Sequence, residues 1–317
     1  MTNDTKKLPI LEEADFQDKK IRSLSIVEKY RFFNKRKASD MIDCGQRLQF
    51  GLYENVITLE QRKKLEEMYT CKDRFCPFCI WRRARKMAIQ SYEVLKAVET
   101  DLNVRYIFVT FTVRNPPIFE LSSTIKHMNA SFDRMFKKKR VQSSILGFMR
   151  ALEIPPQKDN AEYMHPHFHC LFVVPTNYFN TSLDLYIKQD EWIQLWADAL
   201  RVDYLPSVDV RIIKSKNGSD PIAKAVAETI KYPLKDIDLQ NMSNELFETL
   251  TIQMKNKRAL AFGGILKEYR KKLQLDDIET GDLVYDNLEN QEIWKRIKSL
   301  IYEFQNGEYG LNYYEKK

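Results

Sequence analysis

Residues Cys170 to Val174 form a short apolar run, Cys-Leu-Phe-Val-Val, closed by Pro175. A run of β-branched and aromatic side chains bounded by proline reads as a buried strand. The chain enters it through His165-Pro166-His167-Phe168-His169, which holds three of the four histidines in the sequence. Successive side chains of a strand alternate faces, so His167 and His169 share one face while Phe168 and Cys170 point into a core. Two imidazoles about 7 Å apart along one strand face can grip a single ion. The competing reading is a pair of surface histidines on an edge strand. Clustering of nearly all the histidines in five residues favours the metal.

The chain has 317 residues, with 44% hydrophobic and 30% charged, a composition that buries a full core and leaves room for two domains. Nine glycines and eleven prolines exclude a fibrous or disordered chain. No stretch approaches the ~18 uninterrupted apolar residues of a membrane span, and Met1 to Lys7 lacks an apolar signal core. The expectation is a cytoplasmic protein with no membrane partner. Its net charge of +7 permits nucleic-acid binding without requiring it. The distribution says more. Lys72, Arg74, Arg82, Arg83, Arg85 and Lys86 crowd one segment against Asp73 alone, and Lys137-Lys138-Lys139-Arg140 closes an expected helix. Charge runs are commonly just solvated faces. Their position beside the candidate metal ligands favours phosphate contacts, and Arg74, Arg82, Arg83, Arg85, Lys86, Arg114, Lys137 and Lys138 are the expected DNA-binding residues.

Four of the five cysteines, Cys44, Cys71, Cys76 and Cys79, lie near the N-terminus, the last three spaced C-x4-C-x2-C. Thiolates bind zinc tetrahedrally, and the two-residue gap in Cys76-Pro77-Phe78-Cys79 lets one turn present two sulfurs. Disulfides are disfavoured in a reducing compartment. The expectation is a closed, structural zinc site using all four sulfurs. Between Cys44 and Cys71 the pattern reads as a strand over Gln46–Tyr53, then a helix over Leu59–Tyr69 opened by a Thr58-x-x-Gln61 capping box. A helix is expected over Ser23–Lys37 and another over Trp81–Val98.

Further along, Arg105–Val113 and Gly147–Ile154 read as strands. If the second pairs antiparallel with the histidine strand, Glu153 falls opposite or diagonal to His167 and supplies a carboxylate. His165 and Glu162 are rivals for that third position. Two imidazoles and one carboxylate suit Mn²⁺ or Mg²⁺ with positions left open. His127, inside an expected helix, reads as structural. A helix is expected over Ile222–Tyr232, capped by Asp220 and ended by Pro233, with Glu228 and Tyr232 four apart on one face and Lys235 three beyond. With sixteen tyrosines in the chain, composition singles out none. Glu228 is equally readable as an ion-pair partner of Lys224 or Lys231. Residues 243–275 read as helical, interrupted at Gly263-Gly264, and 290–304 as a final amphipathic helix.

His167-Phe168-His169 resembles the His-hydrophobic-His motif of the HUH endonucleases, and His165 to His169 resembles the version in rolling-circle plasmid replication initiators, the Rep proteins. Cys71-Lys72-x-Arg74-x-Cys76-Pro77-x-Cys79 followed by Trp81-Arg82-Arg83 is similar to their N-terminal part. Arg105–Val113 resembles their first motif, and Glu228-Thr-Ile-Lys231-Tyr232-Pro-Leu-Lys235 their third. The resemblance covers roughly residues 40 to 285, with the motifs in family order. It implies an α+β fold with a central antiparallel sheet flanked by helices, an N-terminal zinc module and a C-terminal helical region. The implied division is 1–40 leader and helix, 41–95 zinc module, 96–240 nicking and joining domain, and 241–317 helical region. It implies that Tyr232 attacks a DNA phosphate, assisted by the divalent ion and Lys235, leaving a 5′-phosphotyrosyl bond and a 3′-hydroxyl. With one evident tyrosine, Glu228 is expected to activate a water for the closing cleavage. The implied partners are plasmid origin DNA, single-stranded or in a hairpin, a host helicase, and a second copy in a homodimer. A relaxase or single-tyrosine transposase shares this chemistry. From another class, a zinc-dependent DNA-binding regulator would show the cysteines and basic residues with no covalent step.

Overall fold

A computed structural model describes residues 16–213, 221–230, 236–284 and 294–312. In chain order the elements are α1 (Phe16–Phe33), α2 (Lys35–Asp43), β1 (Arg47–Asn55), β2 (Gln61–Met68), α3 (Pro77–Asp101) and β3 (Val104–Thr112). Then come α4 (Leu121–Phe136), α5 (Lys139–Ser144), β4 (Gly147–Glu153), β5 (Pro156–Gln157), β6 (Asn160–Met164) and β7 (His167–Pro175). The rest are α6 (Gln189–Leu200), β8 (Val208–Ile212), α7 (Pro221–Thr229), α8 (Asp236–Asn241), α9 (Asn244–Gln253), β9 (Leu260–Gly264), α10 (Ile265–Lys272), β10 (Trp294–Gln305) and β11 (Glu308–Asn312). The α+β class holds. Among the described residues no helix is long and apolar enough to cross a membrane. The chain divides into two compact units, one built from the N-terminal part through Lys86 together with Asp276–Lys317, the other from Met87–Leu275.

The first unit carries a four-stranded antiparallel sheet in the order β11-β10-β1-β2. Gly45, between α2 and β1, sits at φ +66°, and a Cβ there would come within 2.6 Å of the Phe78 ring, so only glycine fits. Asp73 ties the loop after β2 together, accepting from the Tyr30 hydroxyl at 2.9 Å, Lys37 Nζ at 2.8 Å and its own loop's Phe75 N–H at 2.9 Å.

Two expected helices are strands in this unit. Residues 61–68 are rich in strong helix formers, yet they pair with β1 as β2. The turn decides it. Asn55 Oδ1 accepts from the N–H groups of Ile57 and Thr58, and Leu59 takes a left-handed φ of 59°, which folds the chain back on β1. Thr58 Oγ1 caps no helix; it accepts from Glu60 N–H at 3.4 Å. The helix expected over 290–304 is, from Trp294 onward, strand β10 along the length of β1. Its apolar spacing fits a helix, but Leu300 and Ile301 are both buried because both faces of the sheet are covered there. The hairpin to β11 turns on Asn306-Gly307, both at positive φ, a type I′ signal legible in the sequence and passed over above.

The second unit is organised on a five-stranded antiparallel sheet in the order β8-β3-β7-β4-β9. The histidine strand β7 is central, not at an edge, and eight of its nine residues are buried. One face is an aromatic core. Phe111 meets Phe132, Trp192 and Trp196, Phe132 stacks on Phe136 at 4.6 Å, and Phe172 stacks on Trp192 at 5.4 Å, so α4 and α6 cover this face. Each such pair contributes about 0.5–1.5 kcal/mol beyond its buried area. His127 is structural, its Nε2 2.9 Å from the Leu200 carbonyl. Where 243–275 was expected to be helical, Leu260–Gly264 is an edge strand on β4 between two helices. Its glycines answer a close approach: a Cβ on Gly263 would collide with the Phe148 ring at 2.1 Å. Helix α7 packs against β3, β4 and β7, on the face α4 and α6 leave open.

Candidate functional site

The register of the second sheet assembles the site. Glu153 on β4 lies opposite His167 on β7, and His167 opposite Thr112 on β3. One step inward, His169 lies between Ala151 and Thr110. Alternation puts both imidazoles and the Glu153 carboxylate on one face, away from the aromatic core. His167 Nε2 and His169 Nε2 lie 3.0 and 2.5 Å from Glu153 Oε2 and 3.1 Å from each other. Both rings are nearly buried, with 8% and 6% of their surfaces exposed.

The other ring nitrogens fix what these atoms can do. His167 Nδ1 is 2.9 Å from the carbonyl of His165, which only accepts, so Nδ1 carries the hydrogen and Nε2 of the neutral ring presents a lone pair. His169 Nδ1 pairs with Thr110 Oγ1 at 3.1 Å, and its ring stacks on Phe108 at 5.3 Å. Burial works against a charged Glu153, but hydrogen bonds and charge from the two imidazoles prevail and hold its carboxyl well below the ordinary range. Lone pairs converging on a carboxylate oxygen repel unless a cation lies among them. Ligands about 2.1 Å from one ion sit roughly 3 Å apart, as these do. The donor set fits a divalent ion, and the second-layer bonds from the His165 carbonyl and Thr110 aim the ligands.

The rivals for the third position lie elsewhere. His165 Nδ1 is bound to Asn115 Oδ1 at 2.7 Å, and Asn115 Nδ2 in turn donates to Gln157 at 2.9 Å. Burial, then the neighbouring His167, push the His165 imidazole below its ordinary pKa. Glu162 is exposed on β6. Tyr232 and Lys235 fall outside the described residues; Glu228 belongs to α7, whose axis packs on the three strands above.

The four cysteines form a second centre in the first unit. Cys44 ends α2, Cys71 follows β2, and Cys76 and Cys79 flank the first turn of α3, with Pro77 at its first position. The sulfurs of Cys44 and Cys79, Cys71 and Cys79, and Cys76 and Cys44 are 3.7, 3.7 and 3.6 Å apart. A disulfide needs ~2.05 Å. Four sulfurs held tetrahedrally at ~2.3 Å from one ion sit about 3.8 Å apart, so the quartet has the dimensions of a filled tetrahedral site. Burial and the surrounding sulfurs push the Cys76 thiol well above its ordinary range, so a set of thiolates here needs a cation. Lys20, 1% exposed, points its ammonium at the carbonyls of Ile42 and Cys44, placing one positive charge beside the cluster.

The basic residues expected to hold phosphate divide into two groups. Arg82, Arg83 and Lys86 are buried. Arg82 donates to the carbonyls of Leu283 and Val284 at 2.6 and 2.7 Å, Arg83 to that of Lys72 at 3.0 Å, and Lys86 to Asp276 at 2.5 Å and the carbonyls of Asp277 and Asp282. They fasten the 276–284 segment and offer no accessible charge. Arg74 and Arg85 are half-buried. Lys138 is half-buried and paired with Asp198 at 3.0 Å, while Arg114 and Lys137 are exposed. A charge run read from sequence is blind to this division, because the partners lie about 200 residues away.

The family model described as replication protein matches residues 62–313. Among curated relatives, a protein rep of Streptococcus pneumoniae serotype 2 is 34% identical over 290 residues, covering 90% of this chain and 88% of that protein. One from Bacillus amyloliquefaciens is 35% identical over 308 residues, covering 89% and 88%, and one from a Bacillus species is 37% identical over 269 residues, covering 78% and 84%. No solved structure matches the chain.

Proposed function

Since the chain belongs to the replication protein family, whose rolling-circle initiators its motifs resemble, we propose that it nicks one strand of plasmid origin DNA through Tyr232 and later rejoins it. The observation that carries this is the convergence of Glu153, His167 and His169 on one point of the central sheet. A Mn²⁺ or Mg²⁺ ion bound there supplies the Lewis-acid charge that makes a phosphate susceptible to attack. Zinc is the ion proposed for the four cysteines, in a structural role.

In this reading the Tyr232 oxygen attacks phosphorus, its proton passes to a nearby base, and the bond to the 3′-oxygen breaks. The 3′-oxygen takes up a proton and leaves as the hydroxyl that primes synthesis. A free phenol titrates near pKa ~10 and is a weak nucleophile at neutral pH, so Lys235 is assigned to stabilise the phenolate. Glu228 is assigned to activate the water that ends a round. Support comes from α7, which carries Glu228, precedes Tyr232 by three residues in sequence and packs on β3, β4 and β7. The test is a labelled single-stranded origin oligonucleotide incubated with the full chain and Mn²⁺, followed by denaturing electrophoresis. A covalent adduct that disappears in Tyr232→Phe while DNA binding persists supports the assignment. An undiminished adduct in that variant overturns it.

A further inference from the structure

The sheet end that carries the metal ligands continues into a rim of exposed π-surfaces that the nicking reaction itself does not use. Thr112, His167 and Glu153 form the last row of that end. Just beyond it the chain leaves β3 through Arg114 and Asn115 and reaches β7 through His165, and these two exits are joined by the 2.7 Å bond between His165 and Asn115. The hairpin of β5 and β6 springs from the same end, and an isolated antiparallel bridge from Pro117 to Tyr163 fastens it to the segment after β3. Tyr163 is 38% exposed there. Phe119, in the single turn Ile118–Glu120 packed against β6, is 65% exposed, a high value for a phenyl ring.

On the other side of the same end, Arg114 is exposed and its guanidinium lies over the Tyr204 ring, 4.5 Å from the centroid. The Tyr204 hydroxyl accepts from the Arg114 backbone N–H at 3.0 Å, which holds the ring in place. Arg114 forms no ion pair with a carboxylate among the described residues. Exposed rings lose hydration free energy with nothing to offset it, so two of them bracketing a metal row, with an uncommitted cation opposite, need an occupant. Bases have π-faces available for stacking only when unpaired, and single-strand sites combine aromatic platforms with cations that follow the backbone. In a duplex those faces are already stacked on one another.

We infer that this rim, Tyr163 and Phe119 on one side and Arg114 on Tyr204 on the other, holds unpaired DNA bases and backbone flanking the cleaved phosphate. The site therefore takes its strand single, from an extruded or melted segment, and not from intact duplex. This rests on the nicking reading for its substrate.

The test is fluorescence anisotropy of a labelled single-stranded oligonucleotide and its matched duplex with the full chain, in chelator so that nothing is cleaved. The wild type binds the single strand more tightly. Tyr163→Ala and Phe119→Ala each weaken single-strand binding by roughly 5- to 100-fold, the range for loss of one base–aromatic stack, while duplex binding stays put. Tyr163→Phe, which keeps the ring, retains binding, and Arg114→Ala lowers the salt dependence by about one phosphate. In steady-state nicking with Mn²⁺, KM for the oligonucleotide rises by more than kcat falls. Alanine variants that bind single strand like wild type, or that lose single strand and duplex equally, overturn the rim. A wild type that discriminates strands but forms no tyrosyl adduct leaves the rim standing and sinks the nicking reading instead.

Discussion

The two metal-binding groups are built by opposite means. The cysteine quartet gathers three ligands from nine consecutive residues and a fourth from the end of α2, and its sulfurs enclose a site with no position left over. The Glu153, His167 and His169 group owes its geometry to strand register, and three ligands leave coordination positions for a phosphate. The first reads as part of the fold, the second as part of the chemistry. The same element type, a side chain at a metal, should therefore fail in different ways when it is removed.

The largest expected effect is on the closed site. Cys76→Ser removes a fully buried ligand, and the first unit should lose its zinc and its cooperative unfolding transition, read by metal content and calorimetry. His169→Ala should do the reverse: nicking falls on the order of 10³-fold, the several kcal/mol of charge stabilisation an ion supplies, while zinc content and the thermal transition persist. A collapse of folding in His169→Ala would erase the contrast. Thr110→Val should be milder, lowering Mn²⁺ affinity about 10- to 100-fold by releasing His169 Nδ1, as titration calorimetry would show.

The smallest effect concerns acid stability. The Glu153 carboxyl is held below its unfolded value of about 4.3. It therefore contributes stability that is complete above that pH and is lost as pH falls through the lower folded value. Denaturant unfolding in chelator between pH 6 and pH 3 should show a shallower acid limb in Glu153→Gln; an unchanged limb would mean that Glu153 is not ionised against the imidazoles.

Much of this contrast was legible before the fold was known, and for physical reasons. The apolar run after His169 could only be a buried strand, and a strand's alternation is enough to put His167 and His169 together. Glu153 needed one further assumption, antiparallel pairing with β4, and the register bears that out in the row it shares with His167. The cysteines announced themselves by spacing. What stayed hidden depends on distant partners. Residues 61–68 have helical composition and become a strand because Asn55 closes a turn ahead of them. Strand β10 pairs with residues some 250 positions earlier. Arg82, Arg83 and Lys86 looked like a phosphate-binding stretch and are spent on local carbonyls and the 276–284 segment. Charge is visible in sequence, but burial is not.

The account stands or falls on whether the open site holds the ion that nicking needs. Metal content of the full chain after equilibration with Mn²⁺ and gel filtration, measured beside single-strand nicking, tests this in wild type and in the His167→Ala, His169→Ala double variant. The prediction is one zinc and one manganese per wild-type chain, with the double variant keeping the zinc and losing both the manganese and the nick. A double variant that retains manganese and still nicks would contradict it.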